Sequence, residues 1–247
     1  MFLFHPRPEW ESARSTGSSE DLLIPVEGHV AIGARFHRAG EQAPTILFFH
    51  GNGEIVADYD ELAQLYLNEG INFLAVDYRG YGRSGGRPTI TAMMRDAHMI
   101  FDFVRKMLEE RGYTGPFILM GRSLGSASVL ELAAHYQGRV DGLVVESGFA
   151  YSQPLLRLLG VDMDTLGVRE EDGFRNRDKI SAFEKPTLVI HAEHDHIIPL
   201  GEGQALYNAS PATDKRLLII PDANHNDIFL KGITEYMGAL REFVGKF

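Results

Sequence analysis

Six short apolar runs, separated by helix-like segments, constrain the fold of this 247-residue chain more than any other feature. Each run is continuous instead of alternating with polar residues, and Gly or Pro lies near its ends. Strands have continuous apolar sequences when both of their faces are buried, which is the usual situation in a parallel sheet. We therefore predict buried parallel strands at residues 45–49, 73–76, 117–120, 143–145, 188–190 and 217–220.

Two further strand-like runs precede these six, at residues 22–26 and 29–36, and Glu27-Gly28 between them suits a tight hairpin. Helical periodicity separates the later runs, at residues 57–68, 91–111, 124–136 and 226–247. Strands that alternate with helices behind an antiparallel hairpin are typical of a doubly wound sheet. We expect one α/β domain over residues 1–247.

One connection, from Gly148 to Lys185, is longer than the single helix found elsewhere in the pattern. A loop of this length inside a compact domain is either functional or disordered. Its aromatic and aliphatic residues favour a small lid at about 150–180 over disorder. An ordinary helix packed on the sheet edge is the alternative.

Composition and charge exclude several classes of function. The chain has 34 acidic and 24 basic residues, with a formal charge of −10, and no Lys/Arg cluster interrupts this excess. Repulsion from phosphates argues against nucleic acid or a membrane surface as a partner. Cysteine is absent, which excludes disulfides, thiolate catalysis and thiolate metal sites. The N-terminal residues do not resemble a signal peptide, so a cytoplasmic location is expected.

A strand-to-helix junction carries the sequence Gly121-Arg122-Ser123-Leu124-Gly125. In this context Gly-x-Ser-x-Gly is typical of a nucleophile elbow, a tight turn that strains the serine backbone and exposes its Oγ. Side chains at the two glycines would collide with the neighbouring strand and helix. The junction predicts that Ser123 is a catalytic nucleophile.

A serine nucleophile needs a base, and the base needs an orienting carboxylate. In a doubly wound sheet these groups lie at the carboxyl ends of strands. Asp195 follows the run at 188–190, and His225 follows the run at 217–220. Glu146, at the end of the run 143–145, is a second candidate for the acid.

These motifs resemble those of the α/β-hydrolase superfamily from about residue 22 to the end. The resemblance rests on five motifs in the same order: His50-Gly51-Asn52-Gly53, the glycine-rich stretch 77–85, the elbow, Asp195 with Pro199, and His225. Within the superfamily the chain is similar to compact serine hydrolases described as serine aminopeptidase-like or acyl-thioesterase-like. The resemblance implies an α/β-hydrolase fold with a mostly parallel eight-stranded sheet, helices on both faces, a short lid and no cofactor.

The resemblance also implies roles for individual residues. It favours Asp195 over Glu146 as the triad acid, and we expect Glu146 to hydrogen-bond behind the elbow. The oxyanion hole is expected to combine the backbone N–H of Leu124 with that of Asn52, or, as second choice, of Gly53. Arg122 is expected to be a buried donor to a carboxylate.

Two motifs resemble a phosphate-binding loop and a metal site, but we expect neither to bind a ligand. The glycine-rich stretch 77–86 lacks the Gly-Lys-Ser/Thr ending of a phosphate loop and is expected to be a structural turn. The run from His191 to His196 resembles a metal-binding motif, but Glu193 occupies the place of its second histidine. We therefore expect no metal site.

The expected function is acyl-enzyme hydrolysis of a small-molecule carboxylic ester or thioester. Four apolar lid residues are candidates for binding the acyl group: Tyr151, Leu155, Leu156 and Leu159. The acidic cluster Glu170-Glu171-Asp172 could bind a free amine, which keeps an aminopeptidase or amidase as an alternative. An acyltransferase and a non-catalytic binding protein also remain open. The sequence leaves acyl length, leaving group and oligomeric state open.

Overall fold

The computed structural model describes residues 3–9, 17–158 and 169–247. Its eight strands are β1 Ser19–Glu27, β2 Val30–His37, β3 Thr45–Phe49, β4 Asn72–Val76, β5 Phe117–Arg122, β6 Gly142–Glu146, β7 Thr187–Ala192 and β8 Lys215–Ile220. The described α-helices are α1 Asp60–Asn68, α2 Ile90–Glu110, α3 Gly125–His135, α4 Ser152–Leu158, α5 Asn176–Ser181, α6 Leu200–Ala209 and α7 Ile228–Val244.

The strands are distributed over two compact units, with β5 at the boundary between them. Phe4–Leu119 form one unit, in which the strand order is β1-β2-β4-β3. There β1 and β2 form the predicted antiparallel hairpin, and β3 is parallel to β4. Leu3 and Met120–Phe247 belong to the other unit, in which the order is β5-β6-β7-β8 and β7 is parallel to both neighbours. The predicted fold class, a mostly parallel eight-stranded sheet with helices, is confirmed.

Burial along the strands follows the prediction except in β8. Every residue of β3, β4, β5, β6 and β7 is buried. In β8 only Ile220 is buried, so the prediction of a strand covered on both faces is wrong there. The strand is last in the order and has a neighbour on one side only, which leaves more of its surface open.

Two helices differ from the sequence prediction. Leu200–Ala209 form α6, which the sequence analysis did not predict. The predicted helix at 226–247 is shorter, Ile228–Val244, and Gly232 has non-helical φ and ψ angles within it. A Cβ at Gly232 would lie 2.4 Å from Ile220 Cγ2, so the close approach of helix and strand requires glycine.

Helix α2 shows how the helices cover the sheet. Its N-terminus is capped by Thr89, whose hydroxyl accepts the Ala92 amide at 3.0 Å. The buried residues of α2 recur at helical spacing, including Met93, Ala97 and Val104, and most of the charged residues lie at the other positions. Among the residues that the structure describes, no helix combines the length and apolar character needed to cross a bilayer.

Candidate active site

Ser123 lies in a tight turn between β5 and α3. Its φ angle is 51°, in the left-handed region, which costs a non-glycine residue about 1–3 kcal/mol. A Cβ at Gly121 would lie 2.5 Å from the Gly125 oxygen and 2.7 Å from Val129 Cγ2, so this position accepts only glycine. The strained turn predicted from the pentapeptide is therefore present.

Hydrogen bonds on both sides hold this turn. The Ser123 amide donates to the Glu146 carbonyl at 2.9 Å, which fixes the turn to the end of β6. The Ser123 carbonyl accepts from the Ser126 amide at 3.0 Å and from the Ser126 hydroxyl at 2.6 Å. These contacts stabilise a backbone conformation that a free chain would rarely adopt.

Asp195 and His225 form a buried pair in the same unit as Ser123. Nδ1 of His225 lies 2.7 Å from Oδ2 of Asp195, and Oδ1 of Asp195 accepts the amides of Ile197 and Ile198 at 3.0 and 2.7 Å. Burial opposes ionisation of Asp195, but the hydrogen bond and charge of His225 and the two amides outweigh it and lower the pKa of Asp195. An ionised Asp195 favours the His225 tautomer with its proton on Nδ1 and a basic Nε2.

The described residues include no hydrogen bond between the Ser123 hydroxyl and His225. Catalytic hydrogen bonds are often long in unliganded enzymes and tighten when substrate binds.

Glu146 has other partners. Its Oε1 lies 3.0 Å from Nε of Arg122, and its Oε2 accepts the Tyr236 hydroxyl at 2.6 Å. Arg122 also donates through Nη2 to the backbone carbonyl of His225 at 2.7 Å. Glu146 thus supports the elbow through a buried ion pair, and Arg122 is the buried donor that the sequence predicted. The same arginine attaches the His225 backbone to the end of β5.

Glu146→Gln is expected to lower the free energy of unfolding by about 3 kcal/mol, because it removes a buried anionic partner of Arg122. In a chain of this size the melting temperature should fall by roughly 6–12 °C. Urea and thermal unfolding measure the change. Glu242→Gln is the matched control, since Glu242 pairs with Arg216 at the surface, and a change of less than about 0.5 kcal/mol is expected. Equal stability of the two variants would contradict a structural role for Glu146.

The loop after β3, in the unit Phe4–Leu119, contains Asn52 and Gly53, the two residues predicted for the oxyanion hole. Oδ1 of Asn52 accepts the Tyr81 hydroxyl at 2.7 Å and the His5 amide at 2.9 Å. The carbonyl of His50 accepts the Tyr78 hydroxyl at 2.7 Å. Gly53 has a φ angle of 81°, which only glycine adopts without strain. Leu124, the expected partner in the oxyanion hole, precedes α3 and is buried.

Comparison with known proteins shows the family to which the chain belongs. The family described as serine aminopeptidase, S33, matches residues 40–166 of the chain. Human alpha/beta hydrolase domain-containing protein 17B is 29% identical over 248 residues, covering 97% of this chain and 80% of that protein. Mouse alpha/beta hydrolase domain-containing protein 17C is 30% identical over 247 residues, covering 96% of this chain and 72% of that protein. The chain belongs to the S33-type α/β-hydrolases.

Solved structures share the fold of this α/β-hydrolase. Esterase Pf2001 from Pyrococcus furiosus superposes with a TM-score of 0.78 at 17% identity, covering 99% of this chain and 98% of the esterase. Est1E from Butyrivibrio proteoclasticus, with ferulic acid bound, gives a TM-score of 0.74 at 19% identity, with coverages of 91% and 98%. Family membership and fold together identify the protein as a hydrolase enzyme.

His191 is a buried residue of this hydrolase whose place the sequence did not predict. Its Nε2 lies 2.8 Å from the Ile198 carbonyl and 3.7 Å from Oδ2 of Asp195. Burial lowers the pKa of His191, and the neighbouring Ile198 carbonyl and Asp195 do not reverse the effect. A neutral His191 therefore donates to the turn that holds Asp195.

Among the described residues, one group of side chains is spaced closely enough to hold a metal ion: Glu193, His194 and Asp222. All three are exposed, and one potential ligand atom of each, a carboxylate oxygen or a histidine nitrogen, lies within 4.8 Å of the other two. Glu193 also accepts the backbone amide of Asp222 at 3.0 Å, which accounts for part of this proximity. The group does not include His191 or His196, the outer residues of the metal-like run.

The glycine-rich stretch 77–86 is the structural turn that the sequence predicted. Both carboxylate oxygens of Asp96 bind the Arg79 guanidinium, at 2.5 and 2.7 Å. A Cβ at Gly82 would lie 2.1 Å from Oδ2 of Asp77, so the chain passes the carboxylate only because residue 82 is glycine.

The predicted lid region contains α4, α5 and an open cleft of about 390 Å³. Tyr151 lines the cleft and is 38% exposed. Leu155 is buried and Leu156 half-buried, and neither is among the lining residues, while Leu159 lies outside the described residues. The lining is mostly charged: Arg169, Glu170, Glu171, Arg175, Arg177 and Asp178. The cleft is therefore more polar than the apolar residues of the 150–180 segment predicted.

The acidic cluster at 170–172 is engaged locally. Glu170 accepts the amides of Ser152 and Gln153 at 2.6 and 3.0 Å, at the N-terminus of α4. Glu171 and Asp172 both form ion pairs with Arg169. All three carboxylates are therefore already bonded within the chain, to backbone amides or to Arg169.

Proposed function

We propose that this hydrolase cleaves carboxylic esters or thioesters through an acyl-enzyme on Ser123. The observation that carries the proposal is the 2.7 Å contact between His225 and a buried, ionised Asp195, in the unit that contains the strained Ser123 turn. A strained serine and an oriented imidazole are the two groups that acyl transfer requires.

In this mechanism Nε2 of His225 takes the proton of the Ser123 hydroxyl while Oγ attacks the carbonyl carbon. The tetrahedral intermediate collapses, and His225 gives the proton to the departing alkoxide or thiolate. Water then attacks the acyl-enzyme with His225 again as the base, which releases the acid and restores Ser123. Asp195 stabilises the imidazolium in both steps and is not itself protonated.

The negative charge on the carbonyl oxygen is assigned to two backbone amides, those of Leu124 and Asn52. In line with the resemblance to α/β-hydrolases, the Asn52 amide is the first choice beside that of Leu124, and the Gly53 amide is the second choice.

An ester or thioester is preferred to a peptide because of the charges around the cleft. Recognition of a peptide amino terminus needs an uncompensated carboxylate, whereas the acids at 170–172 are bonded to amides or to Arg169. Labelling with a fluorophosphonate probe, followed by rates on p-nitrophenyl esters, acyl thioesters and aminoacyl anilides, tests the proposal. Faster cleavage of the anilides would assign an aminopeptidase, and no labelling would remove the serine mechanism.

We expect kcat/KM to rise with acyl length from acetyl to about hexanoyl or octanoyl and then to flatten. Each buried methylene contributes about 0.8 kcal/mol, nearly fourfold in binding, until the available surface is covered. Tyr151→Ala should move this optimum and leave acetyl-ester turnover nearly unchanged, because the Tyr151 ring is the aromatic surface in a lining that is otherwise mostly charged. Leu230→Ala is the control, since Leu230 is 84% exposed on α7. A flat profile from acetyl to palmitoyl would contradict acyl binding here.

A further inference from the structure

Residues 4–9 precede both the region matched by the S33 family and the region of sequence resemblance. We call them the N-terminal strap. They belong to the same compact unit as the loop His50–Gly53. Their contacts with that loop are specific and numerous enough to suggest a role.

The strap bonds directly to the candidate oxyanion residues. The His5 amide donates to Oδ1 of Asn52 at 2.9 Å and to the Tyr81 oxygen at 2.8 Å. Nε of Arg7 donates to the Gly53 carbonyl at 2.8 Å, and the same guanidinium forms an ion pair with Asp58. Asn52 and Gly53 are thus each held by a different residue of the strap.

The strap is itself anchored in the same unit. The Gly82 amide donates to the Arg7 carbonyl at 2.9 Å, and the Glu9 amide donates to the Gly82 carbonyl at 3.1 Å. The Glu9 side chain is buried against Arg35 and Arg83, at 3.4 and 3.5 Å. Because Arg7 and Glu9 are anchored in this way, the bonds from the strap can hold the loop in one position.

Tyr81 connects the strap and the loop. Its buried hydroxyl donates to Asn52 while it accepts the His5 amide. Burial raises the pKa of Tyr81 to about 12, although hydrogen bonds from His5 and Gly53 oppose the rise. The hydroxyl therefore remains protonated, and remains a donor, throughout the pH range of enzyme assays.

The loop needs such support because two of its four residues are glycines. Glycine populates more backbone conformations than any other residue, so a Gly-Asn-Gly sequence does not fix the direction of the Asn52 amide by itself. Displacing an oxyanion donor by about 1 Å can cost on the order of 10²-fold in rate. Glu54 Oε2 accepts the Gly51 amide at 2.7 Å, and the bonds to the Asn52 side chain and the Gly53 carbonyl add restraint at the next two residues.

We propose that the N-terminal strap positions the oxyanion loop, with Arg7 and Tyr81 as positioning residues that orient the Asn52 amide toward the developing oxyanion. The proposal rests on the proposed function, because it assigns the Asn52 amide to the oxyanion hole. It adds a segment outside the family match to the machinery of the site.

The test compares Arg7→Ala and Tyr81→Phe in the full chain with Arg216→Ala. Arg216 is the matched control: its side chain is 45% exposed against 44% for Arg7, and each forms a surface ion pair. We expect kcat/KM for a p-nitrophenyl ester to fall about 10-fold in both Arg7→Ala and Tyr81→Phe, through kcat with little change in KM, and to stay unchanged in Arg216→Ala. The Arg7→Ala melting temperature should match that of the control.

A trifluoromethyl ketone distinguishes positioning from general destabilisation. Ser123 Oγ adds to its carbonyl carbon and His225 accepts the hydroxyl proton, which leaves an oxyanion in the hole. The inhibition constant should rise by the same factor as kcat/KM falls, because both report transition-state binding, whereas inhibition by the carboxylic acid product should not change. Unchanged ketone affinity in both variants would overturn the proposal. If the wild-type enzyme neither cleaves esters nor binds the ketone, the proposed function fails first.

Discussion

Ser123→Ala is expected to reduce ester turnover by about 10⁴-fold or more while leaving the fold intact. The change removes one oxygen and no core packing, and the turn is held by backbone bonds that alanine retains. Rates with excess ester, melting temperature and fluorophosphonate labelling measure the outcome. The residual rate reports what the oxyanion hole and substrate binding contribute without the nucleophile.

Labelling identifies any error in the assignment of the nucleophile. Ser126 and Ser128 are nearby and buried, and the Ser126 hydroxyl is bonded to the Ser123 carbonyl. Probe attached to either serine, or retained labelling of Ser123→Ala, would show that Ser123 is not the nucleophile. Ser181→Ala, at an exposed serine of α5, should keep full activity and labelling.

Asp195→Asn is expected to lower kcat by roughly 10⁴-fold. An asparagine oxygen can still accept the Ile197 and Ile198 amides, so the turn should remain, but the nitrogen would donate to Nδ1 of His225. The imidazole would then carry its proton on Nε2, where a base is needed, and the imidazolium would lose its anionic partner. Steady-state kinetics and thermal unfolding together check that rate falls and stability does not.

Glu146→Gln completes this comparison, because Glu146 is the other acid at a strand end. Its carboxylate contacts Arg122 and Tyr236, and Nδ1 of His225 contacts Asp195. We expect Glu146→Gln to retain most of the activity at temperatures where it is folded. Full activity in Asp195→Asn with inactivity in folded Glu146→Gln would assign the acid to β6 instead.

Local patterns in the sequence predicted the frame of the site. The six continuous apolar runs and the two shorter runs before them located all eight strands to within a few residues, because the burial of strand faces leaves a direct mark on composition. The elbow could be recognised because its glycines are required by contacts only a few residues away, as between Gly121 and Gly125. Helix α6 was missed, since its sequence has only two buried residues and little helical periodicity.

Contacts between distant residues could not be predicted. The sequence suggested an acid partner for Arg122, but the bond from Arg122 to the His225 carbonyl joins positions 103 residues apart. The metal-like run around His191 gave no sign that this ring bonds the Ile198 carbonyl. The cleft lining was expected to be apolar, yet Leu155 and Leu156 are not among its lining residues, and charged side chains line it.

The sequence by itself determined the α/β class, the strained serine turn and the order in which Ser123, Asp195 and His225 follow their strands. Only the tertiary structure decided that His225 contacts Asp195 while Glu146 binds Arg122, and that His5 and Arg7 hold the loop of Asn52. The physical reason is the distance along the sequence over which each interaction acts. Burial and turn geometry act on neighbouring residues and leave periodic patterns, whereas a bond between remote side chains depends on strand order and register.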